Sequence, residues 1–232
     1  MKKGVLIATV AAAALWFGSP ASADVIYNFT TGANGNANQS GTATFDFTTA
    51  NAFTLTLTNT GNITSIASVL DDFSFTESGT LTTLALNSIA AQGQVDCTAS
   101  TNTTSSCTTS SPGSATGDWS LTQSGNNALL VAGVGEHPFG IVNNSILSQG
   151  NLDGLRNAQH NPYLMGPAVF SFTSTGETST PTISNVVFSF GTTPDFISGV
   201  PSTTPAPEPA SLALLGTGLL ALGLIRRRRS KS

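Results

Sequence analysis

The chain has 232 residues, a formal charge of −4 and only 9% charged side chains. Between Asp24 and Ala206 there is no lysine and one arginine, Arg156, against eleven acidic residues. This excludes a binder of nucleic acid or of anionic surfaces, which would need Lys and Arg to neutralise phosphates, and leaves cations or neutral sugars as better-matched partners.

At the N-terminus, Lys2 and Lys3 precede an apolar stretch from Val5 to Phe17, and Ala21-Ser22-Ala23 stands before Asp24. Charge, short apolar region and small residues come in the order of a secretory signal peptide. Residues 1–23 are therefore expected to be removed by signal peptidase, with Ala21 and Ala23 as the small residues of the site and Asp24 as the first mature residue.

The mature body alternates apolar and polar residues in Ala43–Thr48, Phe53–Thr58, Phe73–Thr76 and Leu84–Leu86. Further strand candidates are Val25–Phe29, Ile63–Leu70, Trp119–Gln123, Leu129–Val134, Val169–Thr173 and Val186–Phe190, with Gly, Asn and Ser clusters between them. About ten short strands separated by such turns indicate an all-β ectodomain over 24–193, an antiparallel β-sandwich with jelly-roll-like character. Four Phe-x-Phe patterns, at Phe45/Phe47, Phe73/Phe75, Phe170/Phe172 and Phe188/Phe190, put two rings on one face of a strand. Phenylalanine lacks a polar handle, so these rings are expected between two sheets rather than as an exposed platform for sugars.

Asp71-Asp72, beside Asn-rich turns, offers hard oxygen ligands for Ca2+. Paired acids at a strand edge more often stay solvated or discourage edge-to-edge association, and no cofactor is required by any motif. Cys97 and Cys107 are the only cysteines. In a chain exported to an oxidising compartment they are expected to pair, closing a polar loop worth about 2.5–3 kcal/mol in the chain-entropy model. Two thiols with no nearby histidine make a poor zinc set.

From Gly135 to Gly166 the alternation fails. This stretch holds Glu136, His137, Asp153, Arg156 and His160, so it reads as a long loop and the first place to look for a site. Its histidines and carboxylates form no catalytic or metal-binding motif, and no nucleophile elbow, His-Glu-x-x-His helix, phosphate loop or EF-hand spacing occurs anywhere in the chain. An enzyme is not expected. Residues 194–206, rich in Pro, Thr and Ser, read as an extended linker.

The C-terminus begins with Pro207-Glu208-Pro209, continues through an uncharged run from Ala210 to Ile225, and ends on Arg226-Arg227-Arg228-Arg229. Proline on both sides keeps Glu208 extended, in a form that a protease can read. As a helix the 210–225 run would reach roughly 24 Å, slightly short of a hydrocarbon core of about 30 Å. That length suits a transient anchor, and the four arginines place the C-terminus in the cytoplasm by the positive-inside rule. A plain tail anchor has the same apolar and basic parts; the tripeptide distinguishes the two.

Tripeptide, apolar run, basic tail and signal peptide together resemble the PEP-CTERM family of exported bacterial proteins. The resemblance implies a C-terminal sorting signal over 207–229, cut at Pro207-Glu208-Pro209 by a membrane-embedded exosortase, with Arg226–Arg229 as the basic tail. It further implies transient anchoring in the inner membrane and a final location at the cell surface or in an extracellular matrix, in association with exopolysaccharide or biofilm. The expected function is thus that of a non-enzymatic surface or matrix protein. The competing reading is a secreted carbohydrate-binding module or polysaccharide hydrolase using the same export route.

Overall fold

Two β-sheets face each other across a phenylalanine-rich interior in the computed structural model, which describes residues 24–29, 38–49, 51–79, 81–99, 106–111, 119–133, 138–148, 154–176, 181–191 and 195–202. The expected signal peptide, with Ala21 and Ala23, lies outside the described residues. So does the whole C-terminal signal, with Pro207, Glu208, Pro209, the expected helix over 210–225 and Arg226, Arg227, Arg228 and Arg229. No helix among the described residues is long and apolar enough to cross a membrane.

The first sheet has the spatial order β15 (Val200–Pro201), β1 (Val25–Phe29), β2 (Gly41–Thr49), β3 (Ala52–Asn59), β12 (Ala168–Thr175), β5 (Thr83–Ala90), with every pairing antiparallel. The second runs β14 (Asp195–Ser198), β13 (Ile183–Phe190), β4 (Leu70–Glu77), β10 (Ile141–Val142), β11 (Tyr163–Met165), β6 (Gly93–Asp96), β7 (Thr108–Ser110). A hairpin of β8 (Trp119–Ser124) and β9 (Asn127–Ala132) joins the same edge of β4 beyond β10. The fold is therefore the expected all-β sandwich. One pairing departs from the expected antiparallel pattern: β10 and β11 are parallel.

Period-two patterning explains the strands. Along β3, Phe53, Leu55 and Leu57 point into the sandwich while Thr54, Thr56 and Thr58 point out, and their partners on β2 do the same, pairing Thr44 with Thr56 and Thr42 with Thr58 on the outer face. All eight rings of the Phe-x-Phe patterns are buried, none more than 3% exposed. They interlock across the two sheets: Phe45 meets Phe75 at a centroid distance of 5.1 Å, Phe29 meets Phe188 at 4.8 Å and Trp119 meets Phe170 at 5.0 Å. Edge-on and tilted pairs of this kind add about 0.5–1.5 kcal/mol each beyond burial.

Two sequence expectations are corrected. Ile63–Leu70 is not a strand: it contains a single 3-10 turn, Ile66–Ser68, whose preceding Ser65 is capped through the Ser68 side chain. Residues read as linker from 194 onward include β14 and β15, which add to the second sheet beside β13 and to the first beside β1. The folded body thus runs past 193 to at least Ser202.

The stretch expected as a long loop also has a structural task. Within it lie β10, a 3-10 turn at Asn144–Ser148 and β11, and its buried residues Val142, Ile146, Leu155 and Tyr163 close a second apolar core with Ile63, Val69, Val95 and Cys97. Polar side chains bind the backbone where regular pairing stops, as buried backbone groups require. Asn143 Nδ2 donates to the carbonyls of Asn59 and Gly61, Asn161 Nδ2 donates to Leu155 O at 2.7 Å and Asn157 O at 2.8 Å, and Asn161 Oδ1 accepts from Cys97 N–H at 2.7 Å.

Candidate functional site

The most unusual chemistry among the described residues is on β4, at Asp71 and Asp72. Leu70 and Phe73 both belong to the main core, so strict alternation cannot hold between them. The pairing with β13 jumps from Leu70–Phe190 to Asp72–Ser189, leaving Asp71 as the extra residue of a β-bulge. On its other side β4 changes neighbour at the same place, pairing with β10 at Leu70 and with β9 from Asp72 onward. Asp71-Asp72 is therefore in the middle of a sheet, contrary to the strand-edge position expected from sequence.

Phe188 and Phe190 point into the core, so Ser189 between them points outward, and Asp72 directly opposite shares that face. Gly140 packs beside this strand: a Cβ on it would lie 2.4 Å from Val69 Cγ1, too close to fit without a shift, and 3.6 Å from the Asp71 Cβ, an ordinary contact. Asp71 is fully buried, and neither of its carboxylate oxygens has a hydrogen-bond partner. Burial, and then the charge of Asp72, push its carboxyl up to about 9, against a smaller opposing pull from the nearby backbone N–H groups of Asp71 and Asp72. Ser189 is 2% exposed and its Oγ is likewise unpartnered. Buried polar atoms in native folds nearly always have partners, so two such groups around one bulge call for an explanation.

The other residues singled out from sequence fall elsewhere. Cys97 and Cys107 form the expected disulfide, S–S 2.07 Å, at the side of the second core. Asp24, expected as the first mature residue, is exposed at the start of the described chain. His160 is buried, with its backbone N–H donating to Asn157 O at 3.0 Å, whereas Arg156 is exposed. Glu136, His137 and Asp153 lie outside the described residues. Among the described residues no three His, Cys, Asp or Glu side chains come together as a metal centre. Tyr163 is fully buried with its hydroxyl donating to Leu155 O at 2.8 Å; its pKa is raised by burial first and by the charge of Asp96 second. Ser189 escaped the sequence reading altogether, because a serine between two core phenylalanines reads only as the outward residue of a strand.

A shallow groove also crosses the outer face of the second sheet, lined by Ser74, Thr76, Thr122, Asn127, Leu129 and Asn185. Thr76 Oγ1 donates to Asn127 Oδ1 at 2.7 Å, and Leu129 is 39% exposed. The six side chains carry no charge.

Residues 205–229 match the family model described as the PEP-CTERM protein-sorting motif. The match takes in Pro207-Glu208-Pro209, the apolar run and the four arginines, and it identifies an exported protein sorted by an exosortase to the cell envelope or surface. No curated protein and no solved structure shows significant similarity to the chain.

Proposed function

From the exosortase-sorted export that the PEP-CTERM motif specifies, we propose that this chain is a non-enzymatic structural protein of the cell surface or extracellular matrix, held there in association with exopolysaccharide. Signal peptidase removes residues 1–23 after Ala23. The apolar run over 210–225 then anchors the chain transiently in the inner membrane, with Arg226–Arg229 on the cytoplasmic side. The exosortase acts at Pro207-Glu208-Pro209, where two fixed φ angles keep the chain extended.

The observation that carries this reading is the sorting motif itself, on a body with no lysine and a single arginine, Arg156. The non-enzymatic part is supported by the use made of the irregular segment, where Leu155 and His160 are buried and Val142, Ile146 and Tyr163 pack into a core. Fractionation of cells with and without active exosortase tests the reading. The body is expected in the matrix fraction only when the exosortase is active; equal retention in the membrane fraction in both strains contradicts it.

The uncharged groove favours a second reading, a carbohydrate-binding module. Hydroxyl and amide groups over an apolar floor at Leu129 suit a neutral sugar chain. Affinity electrophoresis in the cells' own polysaccharide is the test: Thr122→Arg should abolish retardation of the protein, and unchanged mobility of wild type in gels with and without polysaccharide dismisses this reading.

A further inference from the structure

The bulge on β4 brings two buried, unpartnered groups, the Asp71 carboxylate and the Ser189 hydroxyl, beside a second carboxylate, Asp72. Asp71 is completely buried and both its oxygens are unpartnered; Asp72 follows it on the same strand, partly exposed; Ser189 is buried, unpartnered and directly opposite Asp72 on the outer face of the sheet. An ionised carboxylate in such a place needs a positive partner, since leaving one isolated from water is prohibitively costly. The body supplies few: it has no lysine, Arg156 is exposed, and its other basic side chains are the two histidines, buried His160 and His137, which lies outside the described residues. The backbone N–H groups of Asp71 and Asp72 offset only a small part of the burial cost, which leaves a proton or a metal ion to compensate the rest.

A proton would satisfy Asp71 alone. It would leave the Ser189 hydroxyl unpartnered and would give no reason for a second carboxylate beside the first. A hard cation accounts for all three groups, because carboxylate and hydroxyl oxygens are its preferred ligands and a bulge is a common device for aiming side chains at one point. Partly exposed Asp72 provides the way in from solvent. We propose that the β4 bulge is a divalent-cation site in which Asp71 and Asp72 carboxylate oxygens and Ser189 Oγ ligate Ca2+, with backbone carbonyls and water completing the shell. Calcium is favoured over magnesium because its shell tolerates irregular geometry and mixed ligands, whereas magnesium demands a near-ideal octahedron. The cation occupies the sheet at the point where β4 exchanges β10 for β9, so it locks the seam between the main sandwich and the second core.

The test uses the full chain solubilised in detergent and stripped with EDTA, with Ca2+ as titrant and Mg2+ as the comparison ion. Calorimetric titration is expected to give one Ca2+ per chain with Kd of about 10⁻⁴–10⁻³ M, the range of extracellular calcium modules. The melting temperature should rise with Ca2+ concentration, by linkage, and much less with Mg2+. Asp71→Asn keeps the shape and removes the charge, so it should retain the calcium-free fold and lose the Ca2+-dependent rise. Asp72→Asn should lose it too, and Ser189→Ala should weaken Kd by about threefold to tenfold, as expected for one neutral ligand among several. If Asp71→Asn does not fold, Asp72→Asn and Ser189→Ala decide the matter in proteins with an unchanged calcium-free melting temperature. Absence of Ca2+ binding by wild type up to about 10 mM, ten times the weakest affinity of that range, overturns the proposal. Full Ca2+ response in Asp72→Asn and Ser189→Ala overturns it equally, because the ion would then be bound elsewhere.

Discussion

Leu155→Ala distinguishes a second core from a loose loop. Leu155 is completely buried although Arg156, Asn157, Ala158 and Gln159, which follow it, are all exposed. Its carbonyl accepts from Tyr163 Oη at 2.8 Å and from Asn161 Nδ2 at 2.7 Å, so the backbone stays fixed when the side chain is cut back. The substitution removes three buried carbons, worth about 2.4 kcal/mol at about 0.8 kcal/mol per methylene, plus a cavity term that partial collapse of this small cluster keeps modest. The expected cost is about 2.5–3.5 kcal/mol, which for a folded body of this size lowers the melting temperature by roughly 5–14 °C. Urea unfolding of the detergent-solubilised full chain, followed by circular dichroism, should show a lower midpoint with an unchanged slope. Leu147→Ala is the internal control, since Leu147 lies in the same segment but is 38% exposed and should change stability by no more than about 0.5 kcal/mol. A loss at Leu155 below about 0.5 kcal/mol would refute the second core, because a buried Leu-to-Ala change in a packed cluster does not come so cheaply.

Phe45→Ala should cost more, about 3–5 kcal/mol in the same assay, since Phe45 is fully buried and its ring meets Phe53, Phe73 and Phe75. Reducing the Cys97–Cys107 disulfide, which spans ten residues of sequence separation, should lower stability by about 2.5–3 kcal/mol, read as a reductant-dependent fall in the urea midpoint. The chain has only two tyrosines, and burial raises the pKa of both Tyr27 and Tyr163 above the usual 10.0. A folded pKa above the unfolded one means that stability is intact below pH 10 and is lost as pH rises beyond it, at up to about 1.4 kcal/mol per unit for Tyr163. Phenolate absorbance should therefore appear together with unfolding; a separate, non-cooperative phase centred at pH 10 would contradict the burial of these rings.

Much of the sandwich was legible because its signals are local. Phe-x-Phe and the Thr-alternating runs state a period of two outright, and the burial of Phe45, Phe73, Phe170 and Phe188 follows from it. The second core was not legible, because Val142, Ile146, Leu155 and Tyr163 stand at irregular spacings and come together through the short parallel pairing of β10 with β11, the pairing of β11 with β6, and the backbone contacts of Asn143 and Asn161. Ile63–Leu70 misled for the opposite reason: its apolar residues look like a strand, yet Ile63 and Val69 face the second core and Leu70 the first, with a 3-10 turn between. The short strands β14 and β15 were concealed by prolines, which are tolerated at sheet edges such as β15. Asp71-Asp72 could be noticed as a pair of acids, but a bulge exists only in the pairing of two strands, so neither its central position nor the part of Ser189 could be read from one sequence. The sorting motif, by contrast, depends on the order of a tripeptide, an apolar run and a basic block, and was fully legible.

Intact mass of the exported protein from cells with and without active exosortase tests the central claim most directly. With the enzyme, the mass should lack both residues 1–23 and the segment C-terminal to the cut at Pro207-Glu208-Pro209; without it, only residues 1–23 should be missing and the body should stay with the membrane. Identical masses and identical membrane retention in the two strains would contradict exosortase processing and reduce the C-terminal signal to a plain anchor.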